Sequence, residues 1–128
     1  MPRPSPVRDQ VKELLLSGFR HAWSLEELLE RVREGEVPGA NYSSVFRAVT
    51  LFEEEGLVQR VEVGDGRARY EVRTPHHDHV HCERCGRVAE IEGGCLVGDA
   101  EDRVRNLTGY RLSGHTLVFS GLCPACQR

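Results

Sequence analysis

Residues 76–86 read HHDHVHCERCG, and they decide the fold that we predict for this 128-residue chain. The Cys82/Cys85 pair in this stretch recurs as Cys123/Cys126 near the end of the sequence. Two such CxxC turns offer four thiolates, the tetrahedral sulfur shell that Zn(II) favours. The alternative, a disulfide framework, is disfavoured by the odd count of five cysteines and by the lack of an export signal. We therefore predict a structural zinc site.

The histidine run that precedes the first pair predicts a second kind of metal site. Alternate residues of a strand share a face. One face then carries His77, His79 and His81, and the other carries His76 and Asp78. Imidazole and carboxylate donors suit Mn(II), Fe(II), Co(II) or Zn(II) without a full thiolate cage. A solvated loop is the alternative, and the nearby carboxylates of Glu71 and Glu90 argue against it.

Composition limits the function further. The chain has seventeen Lys and Arg residues and twenty Asp and Glu residues, so its formal net charge is −3. Because the protein as a whole is not positively charged, any contact with DNA must come from a local basic patch. No apolar run is long enough for a membrane span or a signal peptide, so we expect a cytoplasmic protein. All cysteines and all histidines but His21 follow Pro75. This shift predicts two domains, residues 1–75 and 76–128.

The first domain has the order of a winged helix. Apolar side chains recur at helical spacing over residues 7–19, 25–35 and 41–56, and Ser24 with Glu27 forms a capping box at the second helix. Alternating segments 57–63 and 67–73 flank Gly64-Asp65-Gly66, which predicts a hairpin. In a winged helix the third helix enters the major groove and the hairpin forms the wing.

Donors suited to phosphates and base edges cluster on the third helix and the wing. We predict that the wing arginines point outward. The predicted DNA-binding residues are Tyr42, Ser43, Ser44, Arg47, Arg60, Arg67 and Arg69. A single arginine on a strand is better interpreted as a solvent-exposed residue without a partner. Here the donors are grouped on the wing and on the third helix, and this grouping favours a role in DNA binding.

The second domain is predicted to be a small α/β unit. We expect strands over 78–82, 87–91, 111–112 and 115–121, with a helix over 99–107. Its modest apolar content predicts that a metal and a partner subunit complete its core. Cys95 is interpreted as a small buried apolar residue. The fold class is therefore α+β, a winged helix followed by a small α/β domain with a four-cysteine zinc site.

These motifs together resemble the ferric uptake regulator family. The resemblance rests on HHDHVHCERCG, on GYRLSGHTLVFSGLCPAC, and on SSVFR followed by EEEGLVQR, and it spans residues 7–126. It implies a C-terminal dimerisation domain and a homodimer that represses at palindromic double-stranded operators when a regulatory metal is bound. No membrane and no small organic substrate are expected as partners.

The resemblance also implies the ligands. It assigns the structural zinc to Cys82, Cys85, Cys123 and Cys126, and the regulatory metal to His21, Glu71, His77, His79 and Glu90. The family's usual histidine aligns with Ala22, so either His21 replaces it or the site lacks one ligand; we favour His21. An additional site matches His76, Asp78 and His115. Its customary Glu aligns near Val97 and Gly98, and Asp99 or Glu101 is the substitute.

The ligand types favour iron or manganese as the sensed metal, with zinc as the alternative. Family members that sense peroxide tend to have Asp where this chain has Glu71 and Glu90. A zinc hydrolase or nucleobase deaminase is disfavoured, because the HxE and PCxxC pattern is absent and four thiolates leave no open zinc position. A zinc-stabilised interaction protein without DNA binding is the other alternative.

Overall fold

The computed structural model describes residues 5–74, 77–91 and 95–128. Backbone contacts divide the chain into two compact units, Met1–Arg73 and Thr74–Arg128. The predicted boundary after Pro75 falls on residues 75–76, which lie outside the described residues. Every helix in the described part of the chain is too short or too polar to cross a lipid bilayer.

Over residues 5–73, the first unit forms three helices and a hairpin. Their order is α1 (Pro6–Leu16), α2 (Leu25–Glu34), α3 (Tyr42–Glu54), β1 (Val58–Val61) and β2 (Arg69–Val72). The predicted capping box is confirmed: the Ser24 hydroxyl accepts from the Glu27 amide at 3.1 Å, and the Glu27 carboxylate accepts from the Ser24 amide at 2.9 Å. Both groups fix the start of α2.

The core of this unit lies between the three helices and the hairpin. Its fully buried aliphatic side chains include Val11, Leu28, Val32 and Val45. The first helix is shorter than predicted, because it ends at Leu16 and Gly18 adopts a positive φ of 75°. Phe19 therefore leaves the helical stripe and is 64% exposed.

The hairpin gains a third segment from the chain before α2. β1 and β2 pair antiparallel, and Trp23 pairs with Tyr70 through two backbone hydrogen bonds of 2.9 and 2.8 Å. Trp23 is 1% exposed, so the bridge is anchored by a buried indole. This bridge brings the residues just before Trp23 beside those just after Tyr70.

The described residues of the second unit form a three-stranded sheet and one helix. β3 (Asp78–Cys82) is the central strand; β4 (Val88–Ile91) pairs with it antiparallel and β5 (Val118–Gly121) pairs with it parallel. Helix α4 (Ala100–Thr108) connects β4 to β5 and ends at Gly109, whose φ is 74°. The predicted fold class is confirmed.

One predicted strand of this unit is wrong. Residues 109–117 form neither helix nor strand, although a strand was expected at 111–112. A strand needs a hydrogen-bonding neighbour. Residues 111–112 pair with none of the three described strands β3, β4 and β5.

Candidate metal centres and nucleic-acid interface

Four cysteine side chains of the second unit converge at one end of its sheet. The parallel pairing of β3 with β5 sets Cys82 opposite Gly121, and Cys123 follows two residues later. All four sulfurs lie within 4.8 Å of one another, and Cys85 Sγ is 3.8 Å from Cys123 Sγ. A tetrahedron with Zn–S bonds of about 2.3 Å has edges of about 3.8 Å. The cluster therefore fits a structural zinc ion.

Backbone amides and thiol contacts shape the proton affinity of this cluster. The amides of Cys85 and Cys123 donate to Cys82 Sγ at 3.5 and 3.4 Å and lower the pKa of that thiol to about 5. The amide of Cys126 lowers the pKa of Cys123. Contact with the Cys123 sulfur raises the pKa of Cys126 to about 12. Such amide donors also stabilise zinc-bound thiolates, the form in which cysteine coordinates the metal.

In the first unit, two residues of the predicted regulatory site, His21 and Glu71, contact each other. His21 Nε2 lies 2.5 Å from Glu71 Oε2, and Gln59 Nε2 donates to Glu71 Oε1 at 2.7 Å. The Glu71 side chain is only 1% exposed, so these two contacts compensate for its desolvation. The bridge between Trp23 and Tyr70 explains why His21 reaches Glu71. Ala22 is buried and carries no ligand atom.

In the second unit, the remaining regulatory candidates lie on β3, just before it, and on β4. The imidazole rings of His77 and His79 are 4.6 Å apart, and His79 is 6% exposed. Glu90 is the β4 partner of His79, and its Oε1 lies 3.9 Å from His77 Nδ1. These three side chains can supply nitrogen and oxygen donors to one divalent ion.

The candidates for the additional site lie on β3, on α4 and in the loop before β5. His76 lies outside the described residues. His115 Nδ1 is 2.5 Å from Glu101 Oε1, so Glu101, one of the two substitutes that the sequence offered, contacts His115. The interpretation of Cys95 as a buried residue is wrong: it is exposed, and its sulfur lies 3.1 Å from His115 Nε2. Sequence analysis missed this contact because Cys95 and His115 are far apart along the chain.

The start of α3 exposes a small group of candidate DNA-contacting side chains. Tyr42, Ser43, Phe46 and Arg47 line one shallow surface depression. Phe46 is 49% exposed and stacks on Tyr42 at a centroid distance of 6.5 Å, although the sequence predicted it to be part of the helical apolar stripe. Tyr42 and Phe46 are four residues apart, and side chains at this spacing are neighbours on a helix surface, so the sequence could have predicted the contact.

Ser44 has a local role that sequence analysis did not assign. Its amide and hydroxyl both donate to Asn41 Oδ1 at 2.9 Å, so this side chain takes part in the N-terminal cap of α3. Tyr42, Ser43 and Arg47 are exposed, whereas Ser44 is half-buried.

The wing contains one clear departure from prediction. Arg60 and Arg67 are exposed, but the expectation that Arg69 points outward is wrong. Arg69 is 2% exposed, and its two terminal nitrogens donate to both Asp65 oxygens at 3.1 and 2.7 Å. It lies opposite the buried Val61 in the hairpin register, so it shares that strand's inner face. Through these hydrogen bonds to Asp65, Arg69 stabilises the turn at the tip of the wing.

The sequence profile of the ferric uptake regulator family matches residues 2–120. The chain belongs to this family. Family members are metal-responsive transcription regulators, which confirms the prediction that the chain is not an enzyme.

Individual members of the ferric uptake regulator family resemble most of the chain. The ferric uptake regulation protein of Bacillus subtilis (strain 168) is 30% identical over 127 residues, covering 96% of this chain and 84% of that protein. The peroxide operon regulator of the same strain is 28% identical over 126 residues, covering 98% and 85%. The Helicobacter pylori ferric uptake regulator, which has three functional metal-binding sites, superposes with a TM-score of 0.78 at 26% identity and covers 98% and 83%.

Replacing one zinc-ligand candidate tests the four-cysteine site. We expect the unchanged protein, after mild chelation, to retain about one zinc ion per chain, and Cys123→Ser to retain little, because three sulfurs no longer close the shell. Elemental analysis measures this. Cys95→Ser is the matched control and should keep the zinc. Full zinc retention by Cys123→Ser would exclude Cys123 as a ligand.

Proposed function

We propose that the chain is a metal-activated repressor that binds palindromic operator DNA as a homodimer. The observation that carries this proposal is the division of the regulatory donors between the two units. His21 and Glu71 belong to the winged helix, whereas His77, His79 and Glu90 belong to the second unit. One ion that takes ligands from both units fixes their relative orientation.

Metal activation then follows from differential affinity. A divalent ion shifts the protein toward the orientation that it binds more tightly, and that shift favours DNA only if both reading helices of a dimer then match the operator. The nitrogen and oxygen donors suit Fe(II) or Mn(II), with Zn(II) as the alternative. The four-cysteine site holds a separate structural zinc. Repression of chromosomal operators requires a cytoplasmic protein.

Dimer formation is supported by the apolar surface of the second unit. Only Cys82 and Val88 are buried hydrophobic residues among the described residues of this unit, and α4 buries none of its side chains. Large hydrophobic side chains are exposed instead: Leu96, Val104, Leu107, Tyr110, Phe119 and Leu122. A second copy of the chain completes this core in the proposal, because obligate homodimer interfaces resemble a core divided between two subunits.

A charge on this surface tests the dimer. Leu107 is 78% exposed, and we expect Leu107→Glu to give a monomer at concentrations where the unchanged protein is dimeric. The charge would otherwise be buried without a partner at the interface. Sedimentation velocity measures the mass. Leu16→Glu in the first unit is the matched control at 53% exposure and should remain dimeric. A dimeric Leu107→Glu protein would place the interface elsewhere.

Arginine substitutions test the DNA interface, with a duplex selected from random sequences by the metal-loaded protein as the probe. Arg47→Ala and Arg67→Ala should each weaken binding and, where the side chain contacts phosphate, reduce the slope of log affinity against log salt by about one. Fluorescence anisotropy at several salt concentrations measures both. Arg105→Ala is the control, because Arg105 is an exposed side chain of the second unit. If both variants kept the affinity and the salt slope of the unchanged protein, Arg47 and Arg67 would not belong to the DNA interface.

Paired substitutions test whether one ion uses both units. His21→Ala and His79→Ala should each abolish the metal-dependent gain in affinity for the same duplex, and the double variant should lose nothing more, because residues of one site are not additive. Both variants should keep the structural zinc and the dimer. The same anisotropy titration with Mn(II) or Fe(II) measures the gain.

His81→Ala is the control, since His81 lies on β3 but outside the proposed ligand set. A metal response that survives in either single variant would contradict the bridging ion. A response lost equally in His81→Ala would indicate a general defect of β3.

A further inference from the structure

The buried carboxylate of Glu71 is held by a glutamine on the neighbouring strand of the wing. Gln59 on β1 lies opposite Glu71 on β2 in the hairpin register, and its Nε2 donates to Glu71 Oε1 at 2.7 Å. The Glu71 side chain is 1% exposed and Gln59 is half-buried, so water competes little for this hydrogen bond. Gln59 is neither a predicted DNA-binding residue nor a metal-donor candidate.

The two oxygens of the Glu71 carboxylate have different partners. Oε1 accepts from Gln59, whereas Oε2 lies 2.5 Å from His21 Nε2. An ionised carboxylate only accepts hydrogen bonds, so the amide nitrogen of Gln59, and not its amide oxygen, must face Glu71. The bond restricts rotation of the carboxylate and keeps Oε2 directed toward His21, the other candidate ligand of the first unit.

A carboxylate that binds a metal needs such a partner. Ligating carboxylates are themselves hydrogen-bonded by residues that orient them, and loss of one of these residues weakens metal binding by about ten- to a hundred-fold. The alternative is that the Gln59 bond only stabilises the hairpin. Gln59 adjoins Arg60, a predicted DNA-binding residue of the same strand, so a purely structural defect would reach the wing and weaken DNA binding as well.

We propose that Gln59 is a positioning residue of the regulatory metal site, which orients Glu71 for the divalent ion without contacting the ion or the DNA. The inference rests on the proposed function, because that function assigns Glu71 to the regulatory site. It adds to that function a residue that sets the metal affinity and so the metal concentration at which the chain responds.

Manganese(II) binding to the whole protein, with the four-cysteine site loaded with zinc, is the first measurement. Electron paramagnetic resonance of free Mn(II) gives the affinity, and the binding step that Glu71→Gln removes is assigned to the regulatory site. In Gln59→Leu, which removes the donor at similar side-chain size, this step should weaken by about ten- to a hundred-fold. Gln10→Leu is the matched control, since Gln10 is another half-buried glutamine of the first unit, and it should keep the affinity.

DNA affinity at saturating Mn(II) separates positioning from structural damage. The metal-saturated Gln59→Leu protein should bind the selected duplex as tightly as the unchanged protein, because only the metal concentration needed for binding changes. A double variant tests whether Gln59 acts through Glu71. Gln59→Leu combined with Glu71→Gln should bind Mn(II) no more weakly than Glu71→Gln alone, because a positioning residue has no effect once its target is lost.

Three results would overturn the proposal: an unchanged Mn(II) affinity in Gln59→Leu, a weaker duplex affinity of this variant at saturating Mn(II), or full Mn(II) binding by Glu71→Gln. The second result would identify the Gln59 bond as a structural feature of the wing. Weaker Mn(II) binding by Gln59→Leu, in a protein whose duplex affinity does not respond to metal, would support the positioning role and contradict the proposed function. The two failures are therefore distinguishable.

Discussion

Side-chain alternation along β3 is the constraint on which the candidate metal sites depend. Because successive residues of a strand point to opposite faces, His79 and Asp78 cannot belong to the same group of donors. Cys82 ends the same strand and enters the cysteine cluster. Three of the five residues of β3 thus belong to three different donor sets. A one-residue register slip would turn every one of these side chains to the wrong face, so the pairing of β3 with β4 and β5 fixes the chemistry.

Metal chemistry also compensates for the weak core of the second unit. Its buried hydrophobic residues among those described are Cys82 and Val88, and burial of a side chain of that size contributes only about 1.5–3 kcal/mol. Ordering the backbone costs about 1–2 kcal/mol per residue. A structural zinc contributes about 10–16 kcal/mol in small zinc-dependent folds. The first unit, with its own apolar core, has no comparable need.

Local signals were enough to predict most of the regular elements, but they could not predict side-chain direction. The Ser24 and Glu27 capping box depends on residues three apart, so sequence spacing reveals it. The direction of Arg69 depends on which hairpin face packs inward and on the position of Asp65, and a two-residue period is the same for either face. The convergence of the two cysteine pairs was predictable because their spacing is distinctive. Cys95 lacked any such local signal.

The donor types predict different exchange behaviour at the metal sites. Four thiolates close a zinc shell and leave no position through which a competing ligand can enter. Imidazoles and carboxylates bind divalent ions less tightly, and a site that must respond to metal concentration needs reversible binding. A chain that senses one metal while folding around another therefore requires chemically distinct donor sets, and β3 contributes a residue to each.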